Sequence, residues 1–526
     1  MSLSASLPLN PASVRPRLSG ERLLPWLLPL ALLLLWQAAS HWQWMSEQVL
    51  PAPELVWQTL LELGRGELWQ HLAISLKRLA WGLLGGVATG VALGAWLGSS
   101  PRAERLVFPT FAALAQIPTL AWIPLFMLFF GIGELLKLVV LVKAIVVPVT
   151  IHTLVGVRDA QPRLREAADA LRLPPLLRLW RLTIPAALPS FMAGLRLALA
   201  TGWASLLAVE LLASSEGIGY LMVWGRQLFM LDIVFVCILI IGLFGIVLDR
   251  GIQWLDGRLL HWPHPPAAEF RRVPSGRGWQ RLQAWYLPLA LLGLWQLTCS
   301  AGWVDANILA SPAQVAQATW QGLADGTLLN GLLLSLRRAL GGLLLGGSLG
   351  LLLGVLLGLW RPAERLLGPT LSALRQVAIF AWVPLLTAWF GLGELAKLVF
   401  VGMATFFPLL IASQRGIAAL SSQLDEAARA LRLNRRQRLL RLVLPGAAPA
   451  IFAGLRLALI FAWLGTIGAE YFMPSDGGLA SLMIGAQQMF RMDQVMAGML
   501  LIGITGALLN TLGQLIEARA TRWRTA

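Results

Sequence analysis

Long apolar segments recur along the whole chain, separated by short polar stretches that carry most of the charged residues. Many of these segments reach the ~20 helical residues needed to cross a hydrocarbon core of about 30 Å. Because a bilayer offers backbone N–H and C=O groups no outside partner, segments of this length are predicted to be helices. The pattern therefore predicts an all-α integral membrane protein that crosses the bilayer many times.

The second half of the sequence repeats the first. SLKR at 75–78 returns as SLRR at 335–338, and AGLRLAL at 193–199 is repeated identically at 453–459. Most matched positions lie 260 residues apart, as Glu166 and Glu426 do. A long repeat at a nearly constant offset indicates two copies of one structural unit.

Each copy contains six apolar segments of spanning length, which predicts twelve transmembrane helices arranged as two parallel six-helix repeats. The predicted spans lie at about 22–40, 79–98, 106–130, 135–157, 186–212 and 231–250 in copy one, and at about 283–302, 338–359, 366–390, 395–414, 446–472 and 495–516 in copy two. The expected divisions of the chain are a tail at 1–21, copy one at 22–257, a linker at 258–280 and copy two at 281–526.

The loops differ sharply in charge, and this difference predicts the orientation. Arginines are concentrated in 158–183 and 415–441, whereas 303–334 contains no Lys or Arg. Positively charged loops stay on the cytoplasmic side of the membrane. Both termini and the linker are then expected to be cytoplasmic, in a bacterial inner membrane.

Composition excludes an ordinary soluble protein. Hydrophobic residues form 57% and charged residues 13% of the chain, against ~25% charged residues in soluble domains. The net charge of +16 lies in Arg-rich loops between apolar segments, so we expect a lipid surface and no nucleic acid as its partner. Cys237 and Cys299 lie in apolar runs, and the histidines share no ligand spacing, so no metal site and no catalytic residue is predicted.

Two matching polar segments follow the fourth predicted helix of each copy. They read EAADALRLPPLLRLWRLTIPAALP at 166–189 and EAARALRLNRRQRLLRLVLPGAAP at 426–449. Pro174 in the first and Asn434 in the second predict a break between two short helices. An amphipathic helix resting on the inner leaflet is the simpler interpretation of one such segment. Two copies at equivalent positions favour a shared docking role.

These segments resemble the EAA loop of binding-protein-dependent ATP-binding-cassette (ABC) importer permeases. The nitrate/sulfonate/taurine branch of that family is matched further by LPAPELV at 50–56, IPTLAWIPL at 117–125, FGIGE at 130–134 and SSEGIGYLM at 214–222. The resemblance implies the type I ABC importer permease fold, with one loop of each copy docked on each of two cytoplasmic ATPase subunits. It also implies a periplasmic or lipid-anchored solute-binding protein that delivers solute to the outer face.

The resemblance assigns ATPase coupling to ten residues in the two loops. They are Glu166, Ala167, Ala168, Arg172, Pro185, Glu426, Ala427, Ala428, Arg432 and Pro445. One feature departs from the family pattern, because Arg172 and Arg432 stand where the family has glycine.

The sequence contains no GxxxxGK[ST] phosphate loop. We therefore expect this chain to bind no ATP or other cofactor and to be a transport subunit without enzyme activity, whose partner subunits use ATP. The expected cargo is a small, anionic solute of the sulfonate, taurine or nitrate kind, moved by alternating access. A secondary transporter with parallel repeats is the alternative. It would need mid-membrane carboxylates and no paired EAA loops.

Five residues inside the predicted spans are candidates for the translocation pathway, namely Lys143, Glu210, Glu470, Trp203 and Trp463. The two glutamates are expected either to act in the pathway or to be solvated at a helix end, and the tryptophans either to line it or to pack. Lys143, whose counterpart is Met403, either pairs with a carboxylate such as Glu210, snorkels, or attracts an anionic substrate. In the last case Lys143→Met impairs anion uptake.

Overall fold

The computed structural model describes residues 24–158, 166, 168–260, 279–304, 308–420, 426, 431–474 and 477–522. Within these residues all regular structure is helical. The predicted tail at 1–21 and most of the predicted linker lie outside the described residues, as do Ala167, Ala427 and Ala428.

Ten α-helices of copy one lie within the described residues. They are α1 (Leu24–His41), α2 (Pro53–Arg65), α3 (Leu68–Ser99), α4 (Pro101–Ala115), α5 (Ile123–Phe130), α6 (Glu134–Arg158), α7 (Pro175–Arg178), α8 (Ile184–Ala213), α9 (Ile218–Gln227) and α10 (Leu231–Leu259). A short 3₁₀ turn, Thr119–Trp122, precedes α5, and a π-helical turn, Leu179–Thr183, joins α7 to α8.

Copy two repeats this order. Its helices are α11 (Trp279–Ser300), α12 (Pro312–Ala324), α13 (Thr327–Gly342), α14 (Ser348–Leu359), α15 (Arg361–Gln376), α16 (Val383–Phe390), α17 (Glu394–Ala418), α18 (Arg435–Arg438), α19 (Leu444–Phe472), α20 (Leu479–Gln488) and α21 (Met492–Ala520). The π-helical turn Leu343–Gly347 joins α13 and α14 into one span, and Ile379–Trp382 is the 3₁₀ turn before α16.

In the part of the chain that the structure describes, nine helices are long and apolar enough to cross a membrane. Two bent helix pairs bring the number to eleven if each pair is one span. The remaining predicted span is present as α11 but is less apolar than these. The all-α, multi-pass architecture with two repeats is confirmed, and eleven of the twelve predicted crossings are identified by length and composition.

The third predicted span of each copy is broken, which the sequence pattern did not predict. α4 and the segment 119–130 meet at 91°, and α15 and the segment 379–390 do the same. Pro118 explains the first break, because a residue that precedes proline is disfavoured in the α region. The second break has no proline. There Gly245 of α10 lies against the bend, and an added Cβ would stand 2.5 Å from the Gln376 carbonyl oxygen.

The two copies are interleaved. α1 of copy one packs against α15 of copy two, and α11 of copy two packs against α4 of copy one. One buried apolar cluster also joins Leu120 and Ile123 of copy one to Trp463 and Ile467 of copy two. The first helix of each copy thus completes the other copy, and the two form one transmembrane unit.

Candidate coupling loops and translocation cavity

Each coupling loop contains the helix break that the sequence predicted. In copy one the Leu173 N–H donates to the Ala168 carbonyl (3.1 Å), which closes a helix end, and the Arg178 N–H donates to Pro174 (3.0 Å) at the start of α7. In copy two the Asn434 side chain accepts the Gln437 N–H at 2.7 Å. The predicted roles of Pro174 and Asn434 are confirmed.

Arg172 and Arg432 have the backbone conformation for which glycine is suited. Their φ angles are +48° and +49°, in the left-handed region that costs a residue with a Cβ about 1–2 kcal/mol. Both side chains are exposed. The turn that the family forms with glycine is therefore kept here by arginine, at a cost in backbone strain.

Replacing Arg172 and Arg432 together by glycine is expected to stabilise the two loops by about 1 kcal/mol each, because glycine adopts positive φ without a Cβ clash. Hydrogen exchange of the loop amides in the purified permease should slow by about fivefold. Arg181→Gly, which changes an arginine at negative φ in the π-helical turn, is the matched control and should speed exchange. Unchanged exchange in the double variant would contradict the strain argument.

The loops also carry exposed leucines at equivalent positions. Leu171 and Leu431 are each 72% exposed, and Trp180 is 64% exposed. Large apolar side chains exposed together with charged ones mark an interaction surface. The Arg178–Asp169 ion pair (2.6 Å) holds the two short helices of the copy-one loop together. Glu166 and Glu426 are exposed at the same ends of their loops.

Pro185 and Pro445 lie at the second position of α8 and α19. Proline has no N–H, so it interrupts the regular hydrogen-bond ladder of a helix. The π-helical turns Leu179–Thr183 and Leu439–Val443 lie directly before them. Through these turns, each loop continues into the fifth span of its copy as an unbroken helix.

Glu210 and Glu470 are each enclosed by donors from distant helices. Glu210 accepts hydrogen bonds from the Ser75 hydroxyl (2.9 Å), the Arg78 guanidinium (2.8 Å) and the Gly219 N–H (3.1 Å). Arg78 also binds Glu134 at the start of α6 (2.6 Å). We call this set of four side chains the ionic cluster.

Copy two forms the same cluster. Glu470 accepts from Ser335 (2.7 Å), from Arg338 (2.7 Å) and from the Ala480 N–H (3.0 Å), and Arg338 also binds Glu394. Ser75, Arg78 and their counterparts were not among the predicted site residues. The recurrence of SLKR as SLRR was the signal that could have found them.

Lys143 binds the break in the third span of its own copy. Its ammonium donates to the Ile117 carbonyl (2.8 Å) and to the Thr119 hydroxyl (3.3 Å), and it lies 5.6 Å from the Trp122 ring. The expected pairing with Glu210 is not formed, since Glu210 belongs to the ionic cluster and binds Arg78. Lys143 satisfies a carbonyl that the break leaves without a helical partner.

A cavity of about 520 Å³ lies between the two copies. Its walls come from α8 and α10 of copy one and from the bend after α15, α17 and α19 of copy two. Most of the lining is apolar, including Trp203, Trp382 and Met403. The polar lining residues are Arg196, Asp249, Arg375 and Gln376.

Of the five candidate pathway residues, Trp203 lines this cavity. Trp463 instead donates its indole N–H to the Ile502 carbonyl at 3.1 Å. Lys143, Glu210 and Glu470 lie outside the lining and have the partners described above. These five residues therefore lie in four different environments and do not form one site.

The family domain occurs twice in this chain. Residues 86–261 and 346–524 each match the family described as "Binding-protein-dependent transport system inner membrane component". The chain belongs to this family, so the predicted ABC importer permease family and the duplication are confirmed. It is a multi-pass membrane permease subunit of an ABC importer, with two permease copies in one polypeptide.

Its relatives match about half of the chain each. The chain is 38% identical over 246 residues to "Putative aliphatic sulfonates transport permease protein SsuC" of Escherichia coli (strain K12), covering 47% of this chain and 93% of that relative. It is 32% identical over 262 residues to the protein of the same name in Bacillus subtilis (strain 168), covering 50% and 95%. It is 33% identical over 237 residues to "Taurine transport system permease protein TauC" of Escherichia coli (strain K12), covering 44% and 86%.

Proposed function

We propose that this permease moves a small sulfonate-like anion across the bacterial inner membrane by alternating access, with both termini cytoplasmic. Two cytoplasmic ATPase subunits would each receive one coupling loop, and a periplasmic or lipid-anchored binding protein would deliver the solute. The observation that carries the mechanism is the pair of matched loops, each with an exposed glutamate, an exposed leucine and a helix break. The substrate class is supported by the sulfonate and taurine permeases among the relatives.

The loops suit the transmission of force. Each is joined to the fifth span through a π-helical turn without a break in the helix, so a displacement of the loop moves α8 or α19 directly. These two helices also line the cavity. Closure of the ATPase pair would thereby change the shape of the cavity, while this chain performs no hydrolysis itself.

The secondary-transporter alternative is weakened by the surroundings of its best carboxylates. Glu210 and Glu470 each bind an arginine, a serine and a backbone N–H. Ion-coupled transport needs a carboxylate that binds and releases a cation or proton during the cycle. A carboxylate held by a buried guanidinium is poorly suited to that exchange.

The test is uptake by proteoliposomes that contain the permease together with a cognate ATPase and binding protein. Radiolabelled taurine, hexanesulfonate and nitrate are supplied outside with binding protein, and ATP is supplied to the ATPase side. We expect accumulation of a sulfonate that needs ATP, the ATPase and the binding protein. Accumulation driven by an ion gradient without the ATPase would support the secondary transporter and overturn the proposal.

A further inference from the structure

The third span of each copy bends by the same angle, but the side chains at the two bends differ. In copy one, Lys143 binds the carbonyl at the bend, and Ala115 ends α4. In copy two the equivalent residues are Met403 and Arg375, and both line the cavity. The bend of copy one is therefore occupied by a lysine, whereas the bend of copy two borders the cavity and carries an arginine.

Arg375 has no hydrogen-bond or ion-pair partner among the residues that the structure describes. It lies at the end of α15, directly before the break of a membrane span. A cation within a membrane span requires an anion, water or a carbonyl as its partner, and it marks a functional site by default. Its exposed side chain borders the cavity.

The other polar lining residues are already engaged with one another. Arg196 lies 3.9 Å from Asp249, and the Gln376 amide donates to Asp249 at 3.1 Å. The Gln253 amide also donates to Asp249, at 2.8 Å, so this carboxylate is shared by one cation and two amides. Arg375 is the charged lining residue that lies outside this network. In total, the lining carries two cations and one carboxylate.

The rest of the cavity wall is apolar. Trp203 and Leu199 of α8 face the cavity from one copy, and Met403 and Phe407 of α17 face it from the other. Small-molecule sites are concave, largely apolar spaces of ≈ 300–1,000 Å³ with a few polar groups that fix the ligand. A cavity of about 520 Å³ with one unused guanidinium fits that description.

We propose that this cavity is a one-sided substrate site in which Arg375 binds the head group of a small anion and the apolar wall binds its tail. The inference rests on the proposed function and narrows its substrate to anions with an apolar tail, such as alkyl sulfonates. A short zwitterion such as taurine leaves the apolar wall unused, and nitrate has no tail. The site requires both copies, because its guanidinium and its tryptophan Trp203 belong to different halves.

Direct binding tests the site without the selectivity of the binding protein. The permease–ATPase complex in phosphatidylcholine nanodiscs is dialysed to equilibrium against radiolabelled hexanesulfonate. We expect binding that weakens about threefold to fourfold for each methylene removed from the tail. Hexanol, which has the tail without the charge, should compete about tenfold to a hundredfold less well than unlabelled hexanesulfonate.

Arg375→Ala gives this bend the residue found at the equivalent position in copy one, Ala115. It removes no hydrogen bond or ion pair of the described structure, so the variant should fold and retain its ATPase subunits. We expect hexanesulfonate to bind about tenfold to a hundredfold more weakly, with partial recovery in Arg375→Lys. Arg361→Ala, on the same helix and outside the cavity, is the matched control and should bind like the wild type.

The outcomes separate the site from the proposed function and from a lipid site. Wild-type uptake of sulfonates together with unchanged binding by Arg375→Ala would overturn the site alone. Absence of ATP-dependent sulfonate uptake by the wild type would overturn the proposed substrate class. A lipid phosphate has the same chemistry as the proposed ligand, so binding is repeated in nanodiscs with phosphatidylglycerol. Loss of hexanesulfonate binding there would assign the cavity to lipid and overturn the proposal.

Discussion

Replacing Arg78 by methionine is expected to lower the free energy of unfolding of the permease by about 3–5 kcal/mol, because it leaves a buried carboxylate without its cation. The Glu210 side chain is 0% exposed and that of Arg78 is 4% exposed. After the substitution, Glu210 keeps the Ser75 hydroxyl and the Gly219 N–H but loses its ion pair with Arg78. Unfolding of the purified protein in mixed micelles, followed by circular dichroism, measures the change.

A double variant separates the charge from the packing. Arg78→Met with Glu210→Met removes both charges and should recover most of the lost stability, since a buried ion pair can be replaced by apolar residues at little cost. Glu134→Gln is the control. Its carboxylate is 60% exposed, and its contribution should be about 1 kcal/mol or less. If the double variant is no more stable than Arg78→Met, the loss does not arise from an unpaired charge.

The second large effect is expected at the coupling loops. Changing Glu166 and Glu426 together to arginine should abolish ATP-dependent uptake while the chain stays folded and inserted. A residue central to a protein interface contributes about 2 kcal/mol or more, so two loops together should weaken ATPase binding by close to a thousandfold. Co-purification of the ATPase subunits and uptake by proteoliposomes provide the two measurements.

The two glutamates can be replaced without disturbing the packing of the protein. Both glutamates are exposed, so their replacement removes no buried contact in the described structure. Glu62→Arg makes the same charge change on α2, at the opposite end of the molecule, and should leave both measurements unchanged. The single variants should fall between the wild type and the double variant, because each retains one intact loop. Wild-type ATPase recruitment and uptake in the double variant would remove the role assigned to these residues.

Local patterns in the sequence predicted the helices and the coupling-loop breaks correctly. A continuous apolar run is enough to make a bilayer helix, and Pro174 and Asn434 act on their immediate neighbours. The offset of 260 residues predicted the duplication, because a repeated sequence can be found without knowledge of its fold. These features depend on residues that are close together in the chain or identical between copies.

Features that depend on which helices meet were not predicted. Arg78 and Glu210 are 132 residues apart, and each was recognisable as an unusual residue in an apolar region without its partner being evident. The second broken span has no proline, and there Gly245 of the distant helix α10 lies against Gln376. Lys143 was expected to pair with a carboxylate, to snorkel or to attract an anionic substrate, whereas it donates to a backbone carbonyl at the break.

The exchange of first helices between the copies has a consequence for biosynthesis. α1 leaves the ribosome before its packing partner α15, which begins at Arg361. The roughly 320 residues between them take about 15 s to a minute to synthesise at 5–20 residues per second. α1 can wait in lipid during this interval because a helix satisfies its own backbone hydrogen bonds there. Copy one is therefore expected to insert into the membrane before its packing is complete. Its last packing step takes place only after α15 of copy two has been translated.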